Sequence, residues 1–528
     1  MKEFQAKSIK WLLIGLSSVL FLTACGNSNK DNAKKDSDSN TITIFDKNAK
    51  SAKFDDRIAK LVEEKTGIKV KIQNPTGDPE SKLSLMLAGK DYPDIVIMDR
   101  RSDIITKYIE SNALLPLNEL IDKEGDQIKE MYGDVLGKTR HTDGKNYYLS
   151  NWYGKSEQPV QAVTIRYDLL VEIVGKERAD STEPFTQQEY VEILKQFKEK
   201  HPEIDGKESI PVTFNPEDKN VALEGMFGIK TYNDQEGKLS WKTTDPQYME
   251  MLKFVNQIQR DELLDKEWVS NKYGNINQKL ASNNVFSFIG SYDSTTANET
   301  LSKSVGEDAQ YIAYKVLGNN ISEIETTYGG RSSLGWDGIG ITDNCENVET
   351  AMKLVNFLSS REGQTLLLWG VEGEDYTIGE DGAYIPTEDR LKAYTEDSAK
   401  AVTEFGVTRW TWFVNNQGPN DKTPTRLTDY IYNEKPTEKR AWENLTDTYW
   451  DTSEYENLLP EGSTPLGLKA QKIQDIVDQN FAKFVNAKDE KEMTKLYETM
   501  TKDMEASGVK EVEKEINSNF KAKQKLEK

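Results

Sequence analysis

The sequence predicts an α/β protein whose strands are mostly parallel and covered by helices. Strand and helix patterns alternate from about residue 41, the apolar period switches between two and 3.6 residues, and glycine or proline stands where helices should stop. Thr41 to Phe45 (TITIF) is β-branched and aromatic, the composition of a strand. Phe54, Ile58, Leu61 and Val62 then recur at helical spacing before Gly67. Ile68, Val70 and Ile72 alternate with Lys69 and Lys71, a strand with one polar face. A helical patch of Leu83, Leu85, Met86 and Leu87 precedes Asp94 to Asp99 (DIVIMD), a buried-strand run. Ligands of such sheets bind beyond the carboxyl ends of the strands, so a site is expected from Asp99 onward.

Asn112 to Asp122 (NALLPLNELID) and Asp143 to Leu149 (DGKNYYL) read as the connection and turn that carry the chain toward a second lobe. Residues 185 to 200 form an amphipathic helix with Phe185, Tyr190, Ile193, Leu194 and Phe197 inward, ended by Pro202 and Gly206. A helix over 248 to 265 and a strand over Val285 to Ile289 follow, the strand ending at Gly290-Ser291-Tyr292-Asp293. Gly335 to Thr342 (GWDGIGIT) is Gly-rich and β-like, Val348 to Trp369 is a helix stopped by Gly370, and Gly467 to Phe520 is mainly helical.

The amino end carries an address. Lys2, Lys7 and Lys10 precede an apolar run from Trp11 to Leu22, too short to span a bilayer of ~30 Å. Leu22-Thr23-Ala24-Cys25-Gly26 resembles the lipobox of bacterial lipoproteins, so residues 1–24 are expected to be a signal peptide and Cys25 the lipidated residue. A diacylated cysteine supplies the two chains that stable anchoring needs. Residues 25–40 lack any large apolar side chain and read as a flexible tether.

With 528 residues the chain is too long for one compact core and suits two or more lobes. The net charge of −21, from 89 acidic and 68 basic residues spread along the chain, argues against nucleic acid or acidic headgroups as partners. Lipidation of Cys25 would leave Cys345 without a disulfide partner; with no histidine nearby it reads as a small buried residue. The two histidines, His141 and His201, argue against a His-rich metal site.

KLSLMLAGKDYPDIVIMD (82 to 99), NALLPLNELID, DGKNYYLSNW and the run from Trp336 to Tyr376 together resemble the extracellular solute-binding lipoproteins of carbohydrate ABC importers (family 1), closest to the long alginate-oligosaccharide-binder-like members. The resemblance implies a type II periplasmic-binding-protein fold, two α/β lobes with a ligand cleft between them. Lobe 1 is expected at about 41–155 and 295–370, lobe 2 at about 156–294 and 371–528. It also implies an oligosaccharide ligand and ABC permease transmembrane subunits as partners; a monomer is expected, held through Cys25 on the outer face of the cell membrane. Some long members carry a calcium loop. Here the matching stretch, His201 to Pro211, keeps Asp205-Gly206 and Ile210-Pro211 but lacks the alternating Asp and Asn oxygens that calcium needs, so no cofactor is expected.

Sugars present flat C–H faces and rings of hydroxyls, and their sites combine aromatic platforms with planar polar groups. Asn151, Trp152 and Tyr153, at the first crossover, form the preferred group. Arg331, Trp336 and Asp337 follow a Gly-rich turn, and Tyr292 and Asp293 end a strand. Trp410 and Trp412 would face one side of a strand and could stack tandem sugars; core packing competes equally there. Trp369 is assigned to the core. No G-x-S-x-G, H-E-x-x-H or phosphate-loop motif occurs, so binding is favoured over a lipid-anchored glycoside hydrolase, and a peptide or another polar solute is the other alternative.

Overall fold

The computed structural model describes residues 40–156, 160–216, 221–291, 295–462 and 464–527. In the first lobe a five-stranded sheet runs in the order Lys69–Gln73, Thr41–Asp46, Ile95–Asp99, Asp337–Ile341, Leu149–Ser150. The first three strands are parallel, and Asp337–Ile341 lies antiparallel to both neighbours, with Asp337 opposite Asp99. Ile95 to Met98 are buried to the last residue, which explains why that segment reads as an apolar run. The helix Arg57–Thr66 starts where Asp56 accepts the Ala59 N–H and stops at Gly67 in the left-handed region.

The second lobe holds a four-stranded sheet in the order Ile210–Phe214, Val285–Ser291, Gln161–Arg166, Tyr311–Tyr314. The first pair is parallel, and Gln161–Arg166 runs antiparallel to its two neighbours. Gln187–Lys200 covers this sheet behind a reciprocal cap of Thr186 and Glu189. The C-terminal helices Pro465–Val485, Glu490–Ala506 and Val509–Leu526 send Ile473, Phe484, Met500 and Val512 into the same core. Each large apolar side chain so buried contributes about 1.5–3 kcal/mol. No helix among the described residues is long and apolar enough to cross a membrane.

Lobe boundaries differ from the sequence expectation. Residues 295 to 317 belong to the second lobe, because Tyr311–Tyr314 forms the edge of its sheet with all four side chains buried. The chain returns to the first lobe at about Leu334 and stays there through Leu427, delivering Trp369, Trp410, Trp412 and Phe413 to that core. Pro436–Leu445 is back in the second lobe, packed on Tyr311–Tyr314. Both lobes use the same strand and helix patterns, so periodicity carries no label for which lobe a segment joins. The helix expected over Val348 to Trp369 is two, Val348–Ser359 and Arg361–Leu368, because Ser360 turns extended and caps the second by accepting the Gly363 N–H.

Candidate functional site

Three connections cross between the lobes, and two are paired with other segments. Trp152–Tyr153 runs parallel to Val414–Asn415, and Gly329–Arg331 runs parallel to Tyr449–Asp451. Between the lobes lies a cavity of about 1180 Å³. First-lobe residues Trp152, Trp336, Glu396 and Arg426 line it, facing Val160, Ser291 and Glu299 of the second lobe.

The platform is set by backbone geometry. Asn151 Oδ1 accepts the N–H groups of Trp336 at 3.2 Å and Asp337 at 3.0 Å, while the Asn151 N–H donates to the Asp337 carbonyl at 3.0 Å. Gly335 has φ +63°, and a Cβ there would stand 2.3 Å from the Trp152 carbonyl, so only glycine allows the two segments to approach this closely. The approach stacks the rings of Trp152 and Trp336, with centroids 5.4 Å apart and planes 26° apart. The Arg426 guanidinium lies over the Trp152 ring at 4.7 Å and is gripped by Asp429, with Nη2 donating at 2.6 Å and Nε at 3.1 Å. Trp152 is only 6% exposed, and its Nε1 is buried with no hydrogen-bond partner among the described residues. Such a donor is costly unless something accepts it.

The cavity floor is tied across the lobes. Buried Arg100 donates to the Gly335 carbonyl at 2.6 Å and to Ser332 Oγ at 2.9 Å, and pairs with Glu456, a cleft residue, at 2.7 Å. Beside it Asp451 pairs with Lys138 at 3.0 Å and accepts the N–H groups of Ser333 and Ser453. Burial pushes the Asp451 carboxyl up, but these donors outweigh it and hold the group at about 2.

Of the residues nominated from sequence, Trp152, Arg331 and Trp336 line the cavity. Arg331 Nη1 donates to Ser156 Oγ at 3.2 Å. Asn151 and Asp337 stand just behind the platform: Asp337 is fully buried, paired with Lys47 at 2.8 Å and accepting from Asn48 at 2.6 Å. Burial raises its carboxyl above the ordinary range, with Lys47 opposing. Tyr153 turns the other way, as alternate strand residues must, and stacks on Tyr132 with its hydroxyl accepting from Gln364 at 2.7 Å. Trp410 and Trp412 do lie side by side, with centroids 5.2 Å apart, but inside the first lobe, away from the cavity lining. Phe54 packs on both rings, and their Nε1 groups donate to buried Asp56 and Asp46 at 2.8 Å each. Tyr292, Asp293 and Cys25 lie outside the described residues.

Sequence reasoning missed Arg426, Asp429, Glu299, Glu396 and Glu456. Only Arg426 and Asp429 left a signal, a guanidinium and a carboxylate three residues apart at a helix start. His201 to Pro211 forms a short hairpin, Glu203–Ile204 against Lys207–Glu208, and no group of three or more His, Cys, Asp or Glu side chains suited to a metal occurs among the described residues. Cys345 is buried, which pushes its thiol up to about 12 and leaves it unreactive.

Comparison with known proteins places this architecture. The chain is 23% identical over 338 residues to the fructooligosaccharide ABC transporter substrate-binding protein FusA of Streptococcus pneumoniae, a match covering 60% of this chain and 60% of FusA's own length. It is 23% identical over 403 residues to lipoprotein LipO of Bacillus subtilis, covering 73% of this chain and 76% of LipO. The fold is that of an HMO-binding, ABC-transporter-associated solute-binding protein from Bifidobacterium longum infantis, with a TM-score of 0.68 at 16% identity over 91% of this chain and 98% of that one. The model of the bacterial extracellular solute-binding protein family matches residues 57–370. With two α/β lobes, a cleft between them and that match over more than half its length, this chain belongs to the bacterial extracellular solute-binding proteins, a family that binds its solute and does not transform it.

Proposed function

We propose that this protein is the lipid-anchored binding subunit of an ABC importer, which captures an oligosaccharide in the cleft and hands it to the permease. The observation that carries the reading is the Trp152–Trp336 stack under Arg426, in a cavity of about 1180 Å³. The half-buried Trp336 indole, backed by Trp152, suits the C–H face of a sugar ring, and the Arg426–Asp429 pair offers donors and acceptors to hydroxyls. The names of FusA and of the Bifidobacterium protein support a saccharide ligand and a transporter partner. The sequence of residues 22–26 supports an anchor at Cys25, which would hold a monomer on the outer face of the membrane. Capture proceeds by closure of the lobes on the ligand, which favours the form the permease recognises.

The test is thermal unfolding of residues 41–528 against neutral and uronic oligosaccharides, with reaction products followed in the same samples. Ligand at ~100 times its Kd should stabilise by about 2.7 kcal/mol. A raised melting temperature without products is the expected result. Released products would overturn binding as the function, and no response to any saccharide would turn the reading toward peptides.

A further inference from the structure

Resting on the saccharide reading, we propose that the cleft is built for neutral sugar chains and rejects uronic-acid chains. Among the described residues six carboxylates line it, from Glu299, Glu396, Asp397, Asp429, Glu434 and Glu456, against four cations. Two of the cations face carboxylates, and the contacts shown for the other two are with neutral groups. Arg426 spends Nε and Nη2 on Asp429 and one face on Trp152. Arg101 turns back to Asp99 at 3.3 Å, Arg331 donates to Ser156, and Lys435 sits over the Tyr432 ring at 5.6 Å.

The carboxylates are less completely matched. Glu456 has Arg100, Glu434 has Lys439, and Asp397 accepts the Lys400 N–H at a helix start. Glu299 and Glu396 have no ion pair among those found in the described residues, and they stand on opposite walls, on the second-lobe helix Thr295–Ser304 and the first-lobe helix Glu388–Glu396. A cleft with low-dielectric walls focuses the field of its lining, so each carboxylate carried in by a uronic chain meets a negative potential from both sides. A neutral chain carries no charge into that field and rests on the aromatic platform. The Arg426–Asp429 pair reads hydroxyls as a neutral unit and offers no net charge to an anion.

The test is calorimetric titration of residues 41–528 with malto-, xylo-, manno- and fructo-oligosaccharides and with oligomers of galacturonate, mannuronate and guluronate, at low and moderate salt. The tightest ligand should be neutral with a salt-independent Kd. Any uronic binding should strengthen as salt screens the repulsion. In the double variant Glu299→Gln with Glu396→Gln, the neutral-over-uronic affinity ratio should narrow by about threefold or more. A uronic oligomer as tightest ligand, or an unchanged ratio in the double variant, overturns the charge selection and leaves saccharide capture standing. Failure of both sugar classes to bind overturns saccharide capture itself, and the inference with it.

Discussion

The two tryptophan pairs of the first lobe are built alike and placed differently. Trp152 and Trp336 lie 5.4 Å apart, Trp410 and Trp412 5.2 Å apart, and each pair sits beside an arginine. In the inner pair both indole N–H groups are donated to buried carboxylates, and Phe54 packs on both rings. In the outer pair Trp336 is half-buried, and the Trp152 N–H has no acceptor in the described chain. An aromatic pair whose polar edges are satisfied within the protein is core. One whose polar edge is left over, beside a cavity, is the pair on which the proposed ligand site rests.

Removing the inner pair should have the largest effect. Trp412→Ala is expected to cost about 3–5 kcal/mol of stability by chemical denaturation, while the folded fraction keeps its ligand affinity. The loss should also depend on pH. Burial raises the Asp46 carboxyl above its unfolded value, and the Trp412 N–H opposes that rise by favouring the ionised form. Asp46 therefore favours folding when protonated, a contribution lost as pH rises through its folded-state pKa, and the indole offsets part of that loss. Without the indole the deficit should be greater near pH 7 than near pH 4. A variant of normal stability with lost affinity would place Trp412 in the site and erase the contrast.

Next in size is Trp336→Ala, at the outer pair. Affinity for the bound oligosaccharide should fall about 30-fold, roughly 2 kcal/mol, the scale of an aromatic anchor in an interface. Stability should change by about 1 kcal/mol or less, because the ring is half-buried. Calorimetry and denaturation on the same preparation separate the two quantities. A stability loss like that of Trp412→Ala with affinity intact would make the outer pair core as well.

The sequence distinguishes these pairs only in part, and the reason is distance along the chain. Strands 41–46, 69–73 and 95–99 are legible because each carries its own burial pattern, and Gly67 marks a helix end through local geometry. Trp152 and Trp336 could be nominated from the crossover and the Gly-rich turn. That Asp46 and Asp56 receive the Trp412 and Trp410 N–H groups is a contact across 366 and 354 residues, which no window can register. The same holds for Arg100 with Glu456, and for the choice of lobe by residues 295–317 and 371–427. Tyr153 was separable in principle: in a two-residue strand, if Trp152 faces the cleft its neighbour must face away.

The smallest change sharpens the comparison furthest. Trp152→Phe keeps an aromatic face under Arg426 and deletes only Nε1. Because that N–H is buried without an acceptor in the described protein, its removal should leave stability unchanged or slightly raised. The matching change Trp412→Phe strips a donor from buried Asp46 and must lower stability. If the Trp152 N–H is reserved for a sugar oxygen, Trp152→Phe should weaken oligosaccharide binding about fivefold, the worth of one hydrogen bond near 1 kcal/mol. Equal affinity of Trp152→Phe and the parent would mean that Trp152 serves only as a stacking face, so that the contrast between the pairs rests on position and not on the indole N–H.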